Sequence, residues 1–478
     1  MIKPALLLLL ALTTAPLVAT QQSTPPAKSF WQTASTTPTA RVRQGTELCP
    51  QELAACQARQ GINQQALAQF LQLPTTPTTV PAIGVACSGG GMRAAIATLG
   101  LLSGLEKIGL LDAITYLASL SGSTWTASSW LQQGGSIQQL RATLKKRLVN
   151  PFGRKNIPTM AIAKALVNKY LIGRSLGIND IYGCLIASTF LAKEGASGLA
   201  TDLADFADQT AQGSVPVPIF TSVIGQTSPS YEWMEYSPFE MGSTFLKAWI
   251  PAEAIGKTFV NGISYDLNPE EHMSYVLGIC SSAYAGGLVD VIQLVAENAQ
   301  VDYGLAIPLG LNSWISTLLP WSTDRVASPS LPNFCYQLAN TPLNTYSTLS
   351  LVDAGMATNI PCVPLLRRNI KIYIICDAGS DANSPAGTDM HEVEAYARQH
   401  NLPFPTFDYN VLATAPLSIW ADQNDPTVPL VIHVPNHNAF STLKFSYSES
   451  EFENLCGAIE QAVIEHRDVI AQAIKRML

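Results

Sequence analysis

An α/β architecture is what this 478-residue chain predicts, and three observations carry the prediction. Two strand–turn–helix units follow one another within residues 81–130. Short apolar segments that read as strands recur at 216–224, 347–352 and 369–375. Helical segments at 136–195, 202–212, 389–399 and 449–478 accompany these strands, as expected when helices cover a sheet. A content of 47% hydrophobic and 13% charged residues excludes a disordered chain. The net charge of −7 argues against a nucleic-acid partner and against a general electrostatic pull to anionic membranes.

Taken in order, residues 1–20 read as a secretory signal: Lys3, an apolar core over 5–12, then Pro16 and Ala19. This predicts a secreted or periplasmic protein. Residues 21–48, rich in Gln, Thr, Ser and Pro, read as a flexible tether. A helix is expected over 49–73, and PTTPTTVP (74–81) is a stiff linker that cannot continue it. The odd count of nine cysteines does not make a disulfide framework. Cys49 and Cys56 are the best candidate pair in an oxidising compartment, whereas Cys87 and Cys376 fall in apparent buried strands. No C-x-x-C, H-E-x-x-H or EF-hand loop occurs, so no metal and no cofactor is expected.

The chemistry concentrates in residues 81–130. Residues 82–87 read as a strand, Gly89-Gly90-Gly91 as a sharp turn and 92–108 as a helix. Small residues at a helix N-terminus leave backbone N–H groups facing whatever anion sits there. A second strand at 114–118 leads through Ser119-Leu120-Ser121-Gly122-Ser123 into a helix over 124–131. Small residues around Ser121 allow the strained elbow that lifts a serine hydroxyl above a sheet. An anion hole beside a nucleophile is the pair that acyl transfer needs. Gly89-x-Gly91-x-x-Ala94 also fits a dinucleotide fingerprint with Asp112, but Asp112 precedes the second strand instead of ending it. A P-loop fails, because no Lys-Ser/Thr pair follows the glycines.

Downstream, 136–195 and 202–212 read as mostly helical, and Lys145-Lys146-Arg147 as a solvated basic face. Residues 231–237 read as the partner of the 216–224 strand, with Glu235 and Glu240 in structural roles. IPLGLNSWISTLLPW (307–321) reads either as an interfacial patch dipping into lipid or as a core helix. Asp353-Ala354-Gly355 forms a turn at a strand end, so Asp353 is a candidate partner for Ser121. The order Ser121…Asp353…His433 or His437 also satisfies a serine triad. Residues 389–399 read as a helix, and 449–478 as one long amphipathic helix with Ile459, Val463, Ile470 and Ile474 facing the core.

CSGGGMR followed by LSGSTW resembles the catalytic domain of the group IV cytosolic phospholipases A2 and related lysophospholipases. DIYGCLI, PIFTSV, WMEYSPFEMG, LVDAGMATNIP, NLPFP and FSTLKFSYSESEF follow in the family's order. The resemblance implies a three-layer α/β/α, patatin-like fold with a central mixed sheet. It implies one catalytic unit over 49–478, with a cap-like helical insertion at about 136–215. It implies Ser121 as nucleophile, Asp353 as its base without histidine, Gly90 and Gly91 N–H groups as oxyanion hole, and Arg93 on the substrate phosphate. Arg93 lies in a first helical turn, where a cation opposes the dipole, which favours an anionic partner. Arg367 and Arg368 are weaker candidates for the head group. The implied substrates are phospholipid or lysophospholipid at a membrane or micelle surface. Calcium-triggered translocation is not expected, because only the tether and a helix precede the core. An inactive lipid-binding relative is the reading from a different class.

Overall fold

The computed structural model describes residues 39–149, 157–283, 328–380, 385–422, 424–438, 440–442 and 444–478. The signal-like segment, most of the tether and the 307–321 patch lie outside the described residues.

The strands in chain order are β1 (Arg43–Gln44), β2 (Ile83–Cys87), β3 (Ile114–Leu120), β4 (Val217–Ile224) and β5 (Glu232–Tyr236). β6 (Glu240–Ser243), β7 (Ala248–Pro251), β8 (Phe259–Val260), β9 (Ile263–Ser264) and β10 (Ser330–Pro332) follow. β11 (Thr348–Asp353), β12 (Ile372–Asp377), β13 (Ser418–Trp420) and β14 (Leu430–Pro435) complete the set. Among the described residues, twelve strands form one mixed sheet whose main path is β1-β7-β6-β5-β4-β3-β2-β12-β14-β13. The middle of this path, from β4 to β14, is parallel. Antiparallel strands extend it on both sides.

The parallel strands are buried along their whole length, as sheets covered on both faces require. Their side chains alternate between two cores. Ile83, Val85, Leu117, Ile374 and Val434 pack on one face with helices α2 (Gly91–Ile108), α3 (Gly122–Gln133), α4 (Ile137–Leu148) and α12 (Glu449–Glu465). Ala86, Tyr116, Ala118, Ile219 and Ile375 pack on the other. There they meet α1 (Pro50–Phe70), α9 (Val363–Leu366), α10 (Met390–Gln399) and α11 (Tyr409–Thr414). The predicted three layers are therefore present. The expected helical insertion holds α4, α5 (Thr159–Leu171), α6 (Ile178–Phe190) and α7 (Ala207–Ala211). α8 (Met273–Cys280) follows β9.

Four expectations need correction. The end of the supposed tether is an edge strand: β1 pairs with β7, and Arg43 Nη2 lies 2.7 Å from Glu240 Oε1. The strand expected at 369–375 is displaced to β12, so it ends at Asp377. The closing helix is two helices, because α12 ends at His466 and α13 (Arg467–Lys475) restarts there. Its four apolar positions are nonetheless all buried. Cys49 and Cys56 are free thiols. Cys49 caps α1 through Sγ, which accepts the Glu52 N–H at 3.4 Å, and the Cys56 thiol lies 3.0 Å from the Tyr116 hydroxyl. Seven positions along a helix rise about 10 Å, beyond the reach of a disulfide.

Candidate active site

Ser121 and Asp353 meet because two strands approach end to end along one edge of β4. β3 runs parallel to β4, and their pairing stops at Leu120 opposite Thr221. β11 runs antiparallel, and its pairing with β4 ends at Asp353 opposite Ser222. β5 occupies the other edge of β4 over the same residues. The residue that leaves β3 therefore faces the residue that ends β11.

Ser121 sits at φ 50° and ψ −125° between β3 and α3. This conformation costs a side-chain-bearing residue on the order of 1–3 kcal/mol, and it must be held by its surroundings. Ser123 does the holding: its Oγ lies 2.7 Å from both the Cys87 and the Leu120 carbonyls, and it accepts the Leu120 N–H at 2.8 Å. The Thr124 hydroxyl donates to the Ser121 carbonyl at 2.5 Å. Gly122 permits the rest, since a Cβ there would stand 1.8 Å from the Gly91 carbonyl oxygen. The serine elbow and the glycine turn are thus in backbone contact.

The glycine turn opens α2. Gly90 (φ 131°) and Gly91 (φ 62°) take backbone angles that L side chains avoid. Among the described residues no side chain caps this helix, which leaves its first N–H groups beside Ser121 without an intrahelical partner. Arg93 is buried, with its guanidinium over Gly90 and Nη1 donating to the Phe440 carbonyl at 2.6 Å. The predicted cation thus stands at the turn, with Nη1 committed to the Phe440 carbonyl.

Asp353 is buried, accepts the Gly355 N–H on Oδ1 at 2.8 Å, and donates its own N–H to Ser282 Oγ at 3.1 Å. Burial pushes its carboxyl up to about 6, against the opposing pull of the Gly355 N–H, the Ser121 hydroxyl and the Ala283 N–H. Among the described residues Oδ2 has no hydrogen bond of good geometry, although the Ser121 hydroxyl is near enough to stabilise the carboxylate. Such contacts tighten when substrate binds. A cavity of about 230 Å³ lies beside the end of β11, lined by Tyr231, Ser282, Val352 and Met356 among others.

The other candidates are elsewhere. His433 is buried in β14, three strand positions from β3 and so about 14 Å away. Its Nε2 lies 3.0 Å from Asp377 Oδ2. His437 is exposed, with Nε2 at 3.1 Å from the Ala415 carbonyl. Arg367 and Arg368 are engaged with Glu235, and Arg368 also with Glu52, so neither reaches for a head group. Asp112 stands at the start of β3, the opposite end from the glycine turn, which removes the dinucleotide reading. The sequence reading missed Asn359 and Asp389, which lie behind the turn and bond to one another.

A three-layer patatin-like α/β fold with a strained serine elbow is thereby defined. A sequence model described as the lysophospholipase catalytic domain matches residues 83–466, and the chain belongs to that family. Cytosolic phospholipase A2 delta of Mus musculus is 26% identical over 82% of this chain and 54% of its own length. Cytosolic phospholipase A2 epsilon of Homo sapiens is 30% identical over 91% of this chain and 61% of its own. The chain thus spans little more than half the length of these curated relatives. Human GIVD cytosolic phospholipase A2 has the same fold, with a TM-score of 0.76 at 21% identity over 91% of this chain and 68% of that one. The resemblance drawn from the sequence is borne out.

Proposed function

We propose that this protein hydrolyses acyl esters of glycerophospholipids and lysophospholipids through Ser121 and Asp353, without calcium. The observation that carries the reading is the end-to-end meeting of β3 and β11, which sets a strained serine against a buried carboxyl. Ser121 Oγ attacks the ester carbonyl while Asp353 takes its proton. N–H groups of Gly90 and Gly91 receive the oxyanion. Asp353 then protonates the leaving alcohol oxygen of the lysophospholipid or glycerophosphodiester. Water, deprotonated by Asp353, attacks the acyl-serine; the Ser121 Oγ–acyl bond breaks, Asp353 returns the proton to Ser121 Oγ, and the fatty acid leaves. An aspartate of ordinary pKa, roughly 4, is a weak base. The upward shift of Asp353 brings it closer to the pH of action. Arg93 holds the phosphate in this scheme. Work at a lipid surface and export through residues 1–20 belong to the same proposal, and N-terminal sequencing of exported protein checks the second.

The test is fatty-acid release from mixed phosphatidylcholine and lysophosphatidylcholine micelles with a chelator present. Ser121→Ala and Asp353→Asn are expected to lose at least about 1000-fold in rate. The double variant His433→Ala, His437→Ala is expected to keep activity in whatever fraction folds. Loss in the histidine variant with retention in Asp353→Asn would replace the dyad by a triad. No release by the wild type would leave a lipid-binding protein.

A further inference from the structure

Three loops converge on one side chain that the proposed chemistry does not use. The main-chain carbonyl of Asn359 accepts the Gly89 N–H at 3.1 Å, and its side-chain Nδ2 donates to Asp389 Oδ2 at 2.7 Å, which fixes the residue in place. Glycines leave room for this amide in two of the loops, and a third packs beside it. A Cβ on Gly89 would stand 2.4 Å from Asn359 Oδ1, and one on Gly355 3.4 Å from the same oxygen. One on Gly379 would stand 3.0 Å from Nδ2 and 2.0 Å from Asp389 Oδ2. Gly89 begins the glycine turn, and Gly355 donates to the Asp353 carboxylate. Asp377 in turn accepts N–H groups from Gly379 and Gly387, each at 2.9 Å.

We propose that Asn359, anchored by Asp389, is a positioning residue that holds the glycine turn in register with Ser121 and Asp353. This rests on the acyl-hydrolase reading above. Asn359 acts through Gly89 and Gly355 and not on the substrate. Its importance follows from the steepness of oxyanion stabilisation, since donors displaced by about 1 Å forfeit roughly 100-fold in rate.

The pair can be inverted, which separates positioning from bulk. Asn359→Asp sets two carboxylates face to face, Asp389→Asn keeps an amide–amide bond, and the combined swap restores one donor and one acceptor. On lysophosphatidylcholine micelles, Asn359→Asp should lower kcat by about tenfold or more with KM within about twofold. The swap should return kcat to within about threefold of wild type. Asn359→Ala, which adds no charge, serves where Asn359→Asp does not fold, and the same split between kcat and KM is expected. Wild-type kcat in a folded Asn359 variant overturns the inference, as does a folded swap no faster than Asn359→Asp. Inactive wild type that also fails to take a fluorophosphonate on Ser121 overturns the enzyme reading, and this inference with it. Active wild type with indifferent Asn359 variants overturns this inference alone.

Discussion

As the proposed base, Asp353 would have to be both buried and charged, and those demands conflict. Burial raises its carboxyl from 3.8 to about 6. The folded state therefore binds the proton more tightly than the unfolded chain does. Stability linked to this group is present below pH 3.8 and is lost as pH rises through about 6. A shift of this size corresponds to on the order of 3 kcal/mol. Two outcomes follow. The rate constant kcat/KM should climb with pH through a midpoint near 6, as one group loses its proton. Asp353→Asn should melt higher than wild type at pH 8 and lose that advantage at pH 3.5, which paired thermal scans would show. A variant that melts lower at both values would mean that the carboxylate is compensated in the fold. The turns that carry Ser121 and Asp353 were legible one by one, but only the family resemblance singled out Asp353 as a partner for Ser121, because an Asp before Gly reads equally well as a turn cap. Arg367 and Arg368 were misread for a physical reason. A pair of arginines beyond a catalytic loop looks the same in sequence whether it faces solvent or buried Glu235 and Glu52.

Elements were legible where the chain is locally periodic. The units at β2–α2 and β3–α3 lie within a few residues of expectation, because buried strands bounded by glycine or serine leave little choice. What no local pattern revealed is that β3 and β11, more than two hundred positions apart, share one edge of β4. Short antiparallel strands such as β6, β7 and β13 also escaped, being too brief for period-2 alternation to register. The contact between the two turns leaves no space for a side chain at Gly122. Gly122→Ala places a methyl where the Gly91 carbonyl oxygen already lies, at 1.8 Å. Neither the elbow nor the glycine turn can yield without moving Ser121 or the N–H groups proposed to receive the oxyanion. Stability should fall by roughly 3 kcal/mol, and kcat should fall even in protein that remains folded. Calorimetry beside initial rates distinguishes the two losses, and unchanged kcat would show that the turns can separate without cost.

At the scale of the whole molecule, a buried ion network ties the N-terminal part of the chain to the sheet. Arg368 lies between Glu52 of α1, at 2.8 Å, and Glu235 of β5, at 2.7 Å, and all three side chains are almost fully enclosed. Arg367 adds a second cation to Glu235 at 2.9 Å and donates to the Thr46 carbonyl at 3.1 Å. Burial works against the charge on Arg368, but its two carboxylates outweigh that and hold the guanidinium more firmly charged than usual. The same guanidinium groups hold Glu235 below the ordinary carboxylate range despite its burial. Such a network is weak evidence of net stabilisation, because desolvation offsets most of the attraction. Breaking it is another matter, since an uncompensated charge stays behind. Glu52→Gln should therefore destabilise the fold by about 3–5 kcal/mol, whereas KM for phosphatidylcholine in the folded fraction stays unchanged. Thermal unfolding and initial rates on the same preparation test both halves. A raised KM at an unaltered melting temperature would return Arg368 to the head group and remove it from the frame. A lowered melting temperature at constant KM fixes it where the ion pairs put it, joining the first helix to the strand beside β4.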